Sequence, residues 1–270
     1  MSDKGREAAP PPPEPLAAEV FDSHCHLDIL KTPVAEVVAA GRSVGIRRVV
    51  TVGYDLPSSR WCAEAAAAHD DVYGAVAIHP NDAGNATDEV LAEIAGLAAL
   101  PHVRAVGETG LDYYRDWAEA GDQQRSFRAH IDIAKRTGKA LVIHDRDAHD
   151  DVLRVLAEEG APDNVVFHCF SGDRAMAKIC ADRGYVMSFA GNVTFKNAGD
   201  LREAAEVAPP DLLLVETDAP YLTPVPYRGR PNAPYLVPLT VRCLAEVKGI
   251  DLGELCGAIS ATGERVFGPW

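Results

Sequence analysis

The chain has 270 residues, 47% of them hydrophobic and 24% charged, with a formal net charge of −14. Its length and apolar content suit one large core, and no apolar run approaches the roughly 18 residues of a membrane span, which excludes a membrane-embedded class. The acidic balance argues against a scaffold that holds nucleic acid by neutralising phosphates.

Six cysteines (Cys25, Cys62, Cys169, Cys180, Cys243 and Cys256) form no CxxC pair or compact framework, and read as reduced thiols of a cytoplasmic protein. Residues 1–18 contain Pro10–Pro13 and Pro15 and no secretory apolar region; they are expected to be a disordered, extended tail. The rest, 19–270, reads as one domain. Strand candidates follow at Val20–His24, Arg47–Val52, Val72–Ile78, Val103–Glu108, Ala140–His144, Val165–His168, Tyr185–Phe189 and Leu212–Thr217. Helix candidates alternate with them at Pro33–Val44, Pro57–Ala68, Asp88–Ala99, Gln123–Thr137, Ala148–Glu158, Arg174–Asp182 and Ala198–Val207. Helical pattern returns at Pro234–Val247 and Leu252–Ala261. Strands apolar at nearly every position suit a parallel sheet covered on both faces. Eight strands, each followed by a helix, predict an α/β protein of the (β/α)8 TIM-barrel class. A doubly wound open sheet is the competing architecture, but no Gly-x-Gly-x-x-Gly follows the first strand. A closed barrel leaves no exposed sheet edge in need of a partner, so a monomer is expected.

Five of these strands end in metal-type side chains: His24 and His26, Glu108, His144, His168 and Asp218. One such residue is an ordinary loop or helix-capping residue. Five strand ends bearing imidazoles and carboxylates would be costly to bury without an ion to neutralise them. Alternate strand residues face one side, so His24 and His26 project together and Cys25 away. Glu108 has two oxygens for two ions. The set suffices for a binuclear site, with His24, His26 and Asp218 on one ion, His144 and His168 on the other, and Glu108 between. Mixed nitrogen and oxygen donors suit zinc, manganese or other first-row ions better than calcium. Such a pair of ions clamps a phosphoryl group, and Asp218 is placed to accept a proton from the attacking water.

Weaker candidates surround these six. Asp22 could orient a histidine ring, and Glu216 shares a face with Asp218. His79 ends another strand and could touch substrate. Arg115, Arg146, Lys196, Arg228 and Arg230 fall in segments after strand ends, where any could meet a phosphate. Tyr113, Tyr114, Trp117 and Tyr221 could stack nucleobases or pack loops. His69, His102, His130 and His149 read as surface or structural.

Taken in order, several strings resemble the TatD family of metal-dependent deoxyribonucleases: Asp22-Ser23-His24-Cys25-His26-Leu27-Asp28, Gly107-Glu108-Thr109-Gly110-Leu111-Asp112, His168-Cys169-Phe170-Ser171-Gly172 and Glu216-Thr217-Asp218-Ala219-Pro220. The resemblance runs from Asp22 to the C-terminus. It implies a TIM barrel of the amidohydrolase superfamily whose ligand positions are His24, His26, Glu108, His144, His168 and Asp218. It implies two or three divalent ions (magnesium, manganese or zinc) and catalytic roles for Asp218 and Glu108. Substrate contacts are expected from His79, Arg115, Arg146 and Lys196. The implied activity is 3′→5′ exonucleolytic hydrolysis of single-stranded or frayed DNA, in repair or turnover. Hydrolysis of another phosphoester or of an acyl or amide bond is the alternative within hydrolases, and a non-catalytic metal-binding partner protein the alternative outside them. Three departures stand out: Thr109 replaces the usual Ile, Asn81 replaces the second His of a His-Pro-His string, and the loop Arg228–Pro234 has a changed middle.

Overall fold

The computed structural model describes residues 8–115 and 117–268. Eight parallel strands lie in one sheet in chain order and alternate with helices, making a (β/α)8 barrel. The strands are β1 (Val20–Cys25), β2 (Ile46–Val52), β3 (Val72–Val76), β4 (Val103–Asp112), β5 (Ala140–Arg146), β6 (Val165–Phe167), β7 (Val186–Phe189) and β8 (Leu213–Val215). The helices are α1 (Val34–Arg42), α2 (Leu56–Ala68), α3 (Asp88–Ala98), α4 (Ala120–Thr137), α5 (His149–Glu159), α6 (Arg174–Asp182), α7 (Gly199–Val207), α8 (Val237–Lys248) and α9 (Leu252–Phe267). β1, β3, β6, β7 and β8 are buried at every position, as apolar runs covered on both faces must be. Local signals set several helix ends. Asp55 and Ser58 form a reciprocal capping box at the start of α2, Thr87 caps α3, and Gly138 ends α4 in the left-handed region. Among the described residues no helix is long and apolar enough to cross a membrane.

The fold comprises two compact units: the chain up to Val50 with Gly172–Arg265, and Thr51–Ser171 with the residues from Val266. In the first, β1 meets β8. Cys25 forms a parallel bridge with Ala219, the His26 N–H donates to the Ala219 carbonyl (2.9 Å), and the Asp218 N–H donates to the His24 carbonyl (2.9 Å).

The same unit holds part of the expected disordered tail. From Ala8 onward this segment is bound along the surface. Arg230 donates to the carbonyls of Ala8 (3.0 Å) and Ala9 (2.8 Å), Tyr235 to Pro10 (2.7 Å), and Arg242 to Glu14 (2.8 Å) and Pro15 (3.1 Å). The Leu16 N–H donates to Val44 (3.1 Å), and the Leu16 side chain is buried. Proline removes backbone donors but keeps acceptors, so a ladder of side-chain donors can satisfy such a segment without a sheet or helix. Residues 1–7 lie outside the described residues.

In the second unit the strand limits differ from those expected. β4 runs four residues past Glu108 and β5 two past His144, pairing Gly110 with His144, Leu111 with Asp145 and Asp112 with Arg146. The register shifts between Val106 and Thr109, so Gly107 and Glu108 together oppose Val142. This bulge re-aims the chain at Glu108, a common device beside functional sites. It needs glycine. A Cβ on Gly107 would lie 2.5 Å from the Val142 Cβ, and one on Gly110, at φ +141°, would lie 2.1 Å from the His144 carbonyl oxygen. Behind β3, the buried His130 of α4 accepts the Ile78 N–H at Nε2 (3.1 Å) and donates from Nδ1 to the Ser126 carbonyl (2.7 Å).

Three expectations follow from this packing. Gly110→Ala combines a disallowed backbone angle with a backbone clash and should cost about 3 kcal/mol or more, read as a lowered denaturation midpoint. Arg242→Ala should cost about 1 kcal/mol and speed amide exchange at Leu16; unchanged exchange would show that the strap is held by other contacts. Burial lowers His130 to about 4 from 6.5, so the folded state resists its protonation. Its contribution is full above pH 6.5 and lost as pH falls toward 4, a change of about 3 kcal/mol. His130→Gln should flatten the acid limb of the stability profile in that window relative to the parent protein.

Candidate metal centre

The first unit carries one cluster, made by the junction of β1 and β8. His24 ends the buried face of β1, and His26 follows the last strand residue. Their rings stand nearly perpendicular, with centroids 5.1 Å apart. Both approach the same oxygen: His24 Nε2 is 3.9 Å and His26 Nε2 3.6 Å from Asp218 Oδ1. The backbone bonds between β1 and 218–219 set this meeting, and Asp218 holds φ +51° to make it. Aspartate tolerates that left-handed region better than most side chains.

Asp22 orients backbone here, not the ring expected of it. Its Oδ1 accepts the N–H groups of His24 (3.2 Å) and Thr217 (2.9 Å), and its Oδ2 accepts the Thr217 hydroxyl. Burial lifts Asp22 to about 7 despite those bonds. Asn232 extends the frame by donating to the carbonyls of Thr217 and Tyr221. The Asp218 turn is therefore tied on both sides.

The second unit carries the other cluster, centred on Glu108, which is 5% exposed. Three imidazole nitrogens converge on its Oε1: His79 Nε2 at 3.0 Å, His144 Nδ1 at 3.1 Å and His168 Nε2 at 3.5 Å. Neighbouring strand ends hold them level. The Glu108 N–H donates to the Gly53 carbonyl (3.2 Å), the His79 N–H to Tyr54 (2.8 Å) and the His168 N–H to Ile143 (3.1 Å). Burial would raise the Glu108 carboxyl, but charge on His168 and His79 and hydrogen bonds from His144 and His168 outweigh it and hold it well below the ordinary value. Burial lowers His79. His144 goes up, because Asp112 and Glu108 flank its ring and outweigh burial.

Chemically, the donor set fits a divalent cation. His79, Glu108 and His144 offer ligand atoms all within 4.8 Å of one another. His168 Nε2 and His144 Nδ1 are 3.4 Å apart, and two ring nitrogens so placed cannot both present protons to each other. Lone pairs shared with a cation satisfy both, and an imidazole–carboxylate set suits first-row ions.

The expected substrate contacts divide. His79 sits inside the Glu108 cluster rather than at its edge. Arg115 lies over the Trp117 ring (4.4 Å) and Arg146 over the Tyr114 ring (3.8 Å). Those rings are open to solvent, Tyr114 63% exposed and Trp117 67%. Lys196 is exposed just after the short helical turn Gly191–Thr194. Arg228 lies over Phe195, and Arg230 is engaged by the N-terminal strap. Asp112, which the sequence reading passed over, accepts from His144 and Asn81. A signal existed: Glu108, Gly110 and Asp112 alternate along one strand and share a face.

Comparison with known proteins agrees with these features. The family model described as TatD related DNase matches residues 21–268. The chain is 47% identical over 260 residues to the uncharacterized metal-dependent hydrolase TatD of Mycobacterium tuberculosis, covering 92% of this chain and 98% of that one. It is 38% identical to the metal-dependent hydrolase YabD of Bacillus subtilis, with 92% and 98% covered. The crystal structure of YJJV, a TatD homolog from Escherichia coli, superposes with a TM-score of 0.87 at 25% identity, covering 93% of this chain and 98% of that one. With a barrel of eight strands in chain order and its histidines gathered on Glu108 and Asp218, the chain belongs to the TatD family of metal-dependent hydrolases.

Proposed function

We propose that the protein is a metal-dependent deoxyribonuclease, acting 3′→5′ on single-stranded or frayed DNA, in repair or turnover. The observation that carries this reading is the family match to TatD related DNase over 21–268, on a chain whose buried Glu108 faces three imidazoles. In this reading His24, His26 and Asp218 would hold one divalent ion, and Glu108, His144 and His168 another. Bound ions, two or three of magnesium, manganese or zinc, supply Lewis acidity toward a phosphodiester and its attacking water.

The chain's own residues supply the rest. Asp218 is the proton acceptor, its Oδ1 beside two imidazoles and its side chain partly open to solvent. Tyr114 and Trp117, each backed by a guanidinium, offer open aromatic faces to unstacked bases, which supports a single-stranded substrate. Arg115 and Arg146 contribute positive charge at those faces, and Lys196 is a further phosphate contact. Such local charge matters in a chain of net −14, whose overall field repels a polyanion.

The test is cleavage of an end-labelled single-stranded oligonucleotide with EDTA, then with added magnesium, manganese or zinc, beside His144→Ala. The expected result is a ladder shortening from the 3′ end, abolished by EDTA and reduced by about 100-fold or more in the folded variant. No cleavage with any metal, while a phosphomonoester or amide is hydrolysed, would replace the substrate. Undiminished cleavage by His144→Ala would overturn the site.

A further inference from the structure

Two of the three histidines facing Glu108, His144 and His79, are held by different partners at their far nitrogens. His144 presents Nδ1 to Glu108, while its Nε2 lies 3.2 Å from Asp112 Oδ2. Asp112 is buried, and its other bonds leave it only an acceptor's role. Oδ1 accepts the N–H groups of Tyr114 (3.1 Å) and Arg115 (3.0 Å), and Oδ2 also accepts Asn81 Nδ2 (3.3 Å). Gln123 grips its backbone from both sides, accepting the Asp112 N–H (2.8 Å) and donating to its carbonyl (3.1 Å). A carboxylate so placed requires the proton on His144 Nε2.

His79 is arranged the other way. Its Nδ1 accepts the Asn81 N–H (3.0 Å) at the start of the turn Pro80–Asn85, and its Nε2 points at Glu108 Oε1 (3.0 Å). A backbone N–H has no alternative but to donate, so His79 Nδ1 keeps its lone pair and Nε2 carries the proton.

We propose that Asp112 and Asn81 are positioning residues that sort these two rings into different roles: His144 is a metal ligand through Nδ1, and His79 is an N–H donor to Glu108 and not a ligand. This rests on the metal-centre reading above. A ring nitrogen that carries a proton offers no lone pair to a cation, whereas a ligating histidine characteristically gives its other N–H to a carboxylate. Proximity alone would enrol His79 with Glu108 and His144 as three ligands of one ion; the hydrogen bonds behind the rings separate them. Asn81, a departure from the family's His-Pro-His string, thereby gains a role of its own. Its backbone N–H fixes His79, and its side-chain amide steadies Asp112.

The experiment is 15N–1H correlation spectroscopy of the full chain with 15N-labelled histidine, first metal-free and then titrated with zinc. The His79 and His144 signals are assigned with His79→Gln and His144→Ala. His79 should show an unprotonated Nδ1 and a protonated Nε2, unchanged by zinc. In the zinc-loaded protein His144 should show a protonated Nε2 and an Nδ1 shifted by the ion. Calorimetric titration should then give zinc affinity 10–100-fold weaker in Asp112→Ala, restored largely by Asp112→Asn, whose amide oxygen still accepts from Nε2–H. His79→Gln should stay within about threefold of the parent affinity, well short of that loss. A zinc-induced shift at His79 Nε2, or a loss of affinity in His79→Gln equal to that in His144→Ala, would overturn the proposal. So would a metal-free His79 protonated at Nδ1 and bare at Nε2, a result obtained from the parent protein whether or not Asp112→Ala folds. Normal tautomers in a protein that binds no zinc, manganese or magnesium would remove the metal-centre reading instead.

Discussion

A carboxylate withdrawn from water has to be answered by positive charge or by donors, and Glu108 is the buried carboxylate around which the second unit is arranged. Three imidazoles answer it from three strand ends; backbone N–H groups of Glu108, His79 and His168 donate to the carbonyls of Gly53, Tyr54 and Ile143, and His144 pairs with Gly110 of β4. The parallel sheet does this because its strands end side by side, so residues far apart in sequence share one rim. The bulge at Gly107 and Glu108 is the local departure that turns the carboxylate to meet them, and glycine is the residue that fits against Val142 there. Packing and chemistry therefore constrain the same few positions.

The first unit solves a similar problem with backbone rather than with rings. Asp218 reaches its two histidines because the chain after β8 pairs with the end of β1, and Asp22 locks that pairing through Thr217. A left-handed residue and a buried acid lifted to about 7 are both unfavourable features in isolation. They persist where surrounding hydrogen bonds over-determine the conformation, which is the usual circumstance of a functional rim. The strap from Ala8 to Leu16 adds a brace that lies outside the family match at 21–268. It touches Arg230, whose carbonyl accepts from Thr223 in the loop that carries Asn232. The N-terminal segment is thus mechanically linked to the Asp218 turn through side-chain donors.

Much of this was legible in the residues. Eight apolar runs gave eight strands, with starts shifted by one residue at most, because a strand covered on both faces leaves an unbroken apolar signature. The ends were less legible. Glu108 and His144 read as strand terminators because polarity was taken as an exit from the core. β4 and β5 in fact continue to Asp112 and Arg146, their polar groups satisfied by each other and by Gln123. The Pro-rich segment misled for a related reason. Its composition shows what it lacks, a core and backbone donors, and says nothing of Arg230, Tyr235 and Arg242 more than 200 residues away that supply its partners.

By itself the sequence determined the class of fold, the family strings and the side chains able to hold a cation, since periodicity and residue chemistry are local properties. Tertiary structure alone decided the partners. It placed His79 against Glu108, gave Asp22 to the backbone of His24 and Thr217, and set Asp112 behind His144. Which nitrogen of an imidazole bears a proton depends on the atom facing its other nitrogen. That atom belongs to another segment of chain, brought there by folding.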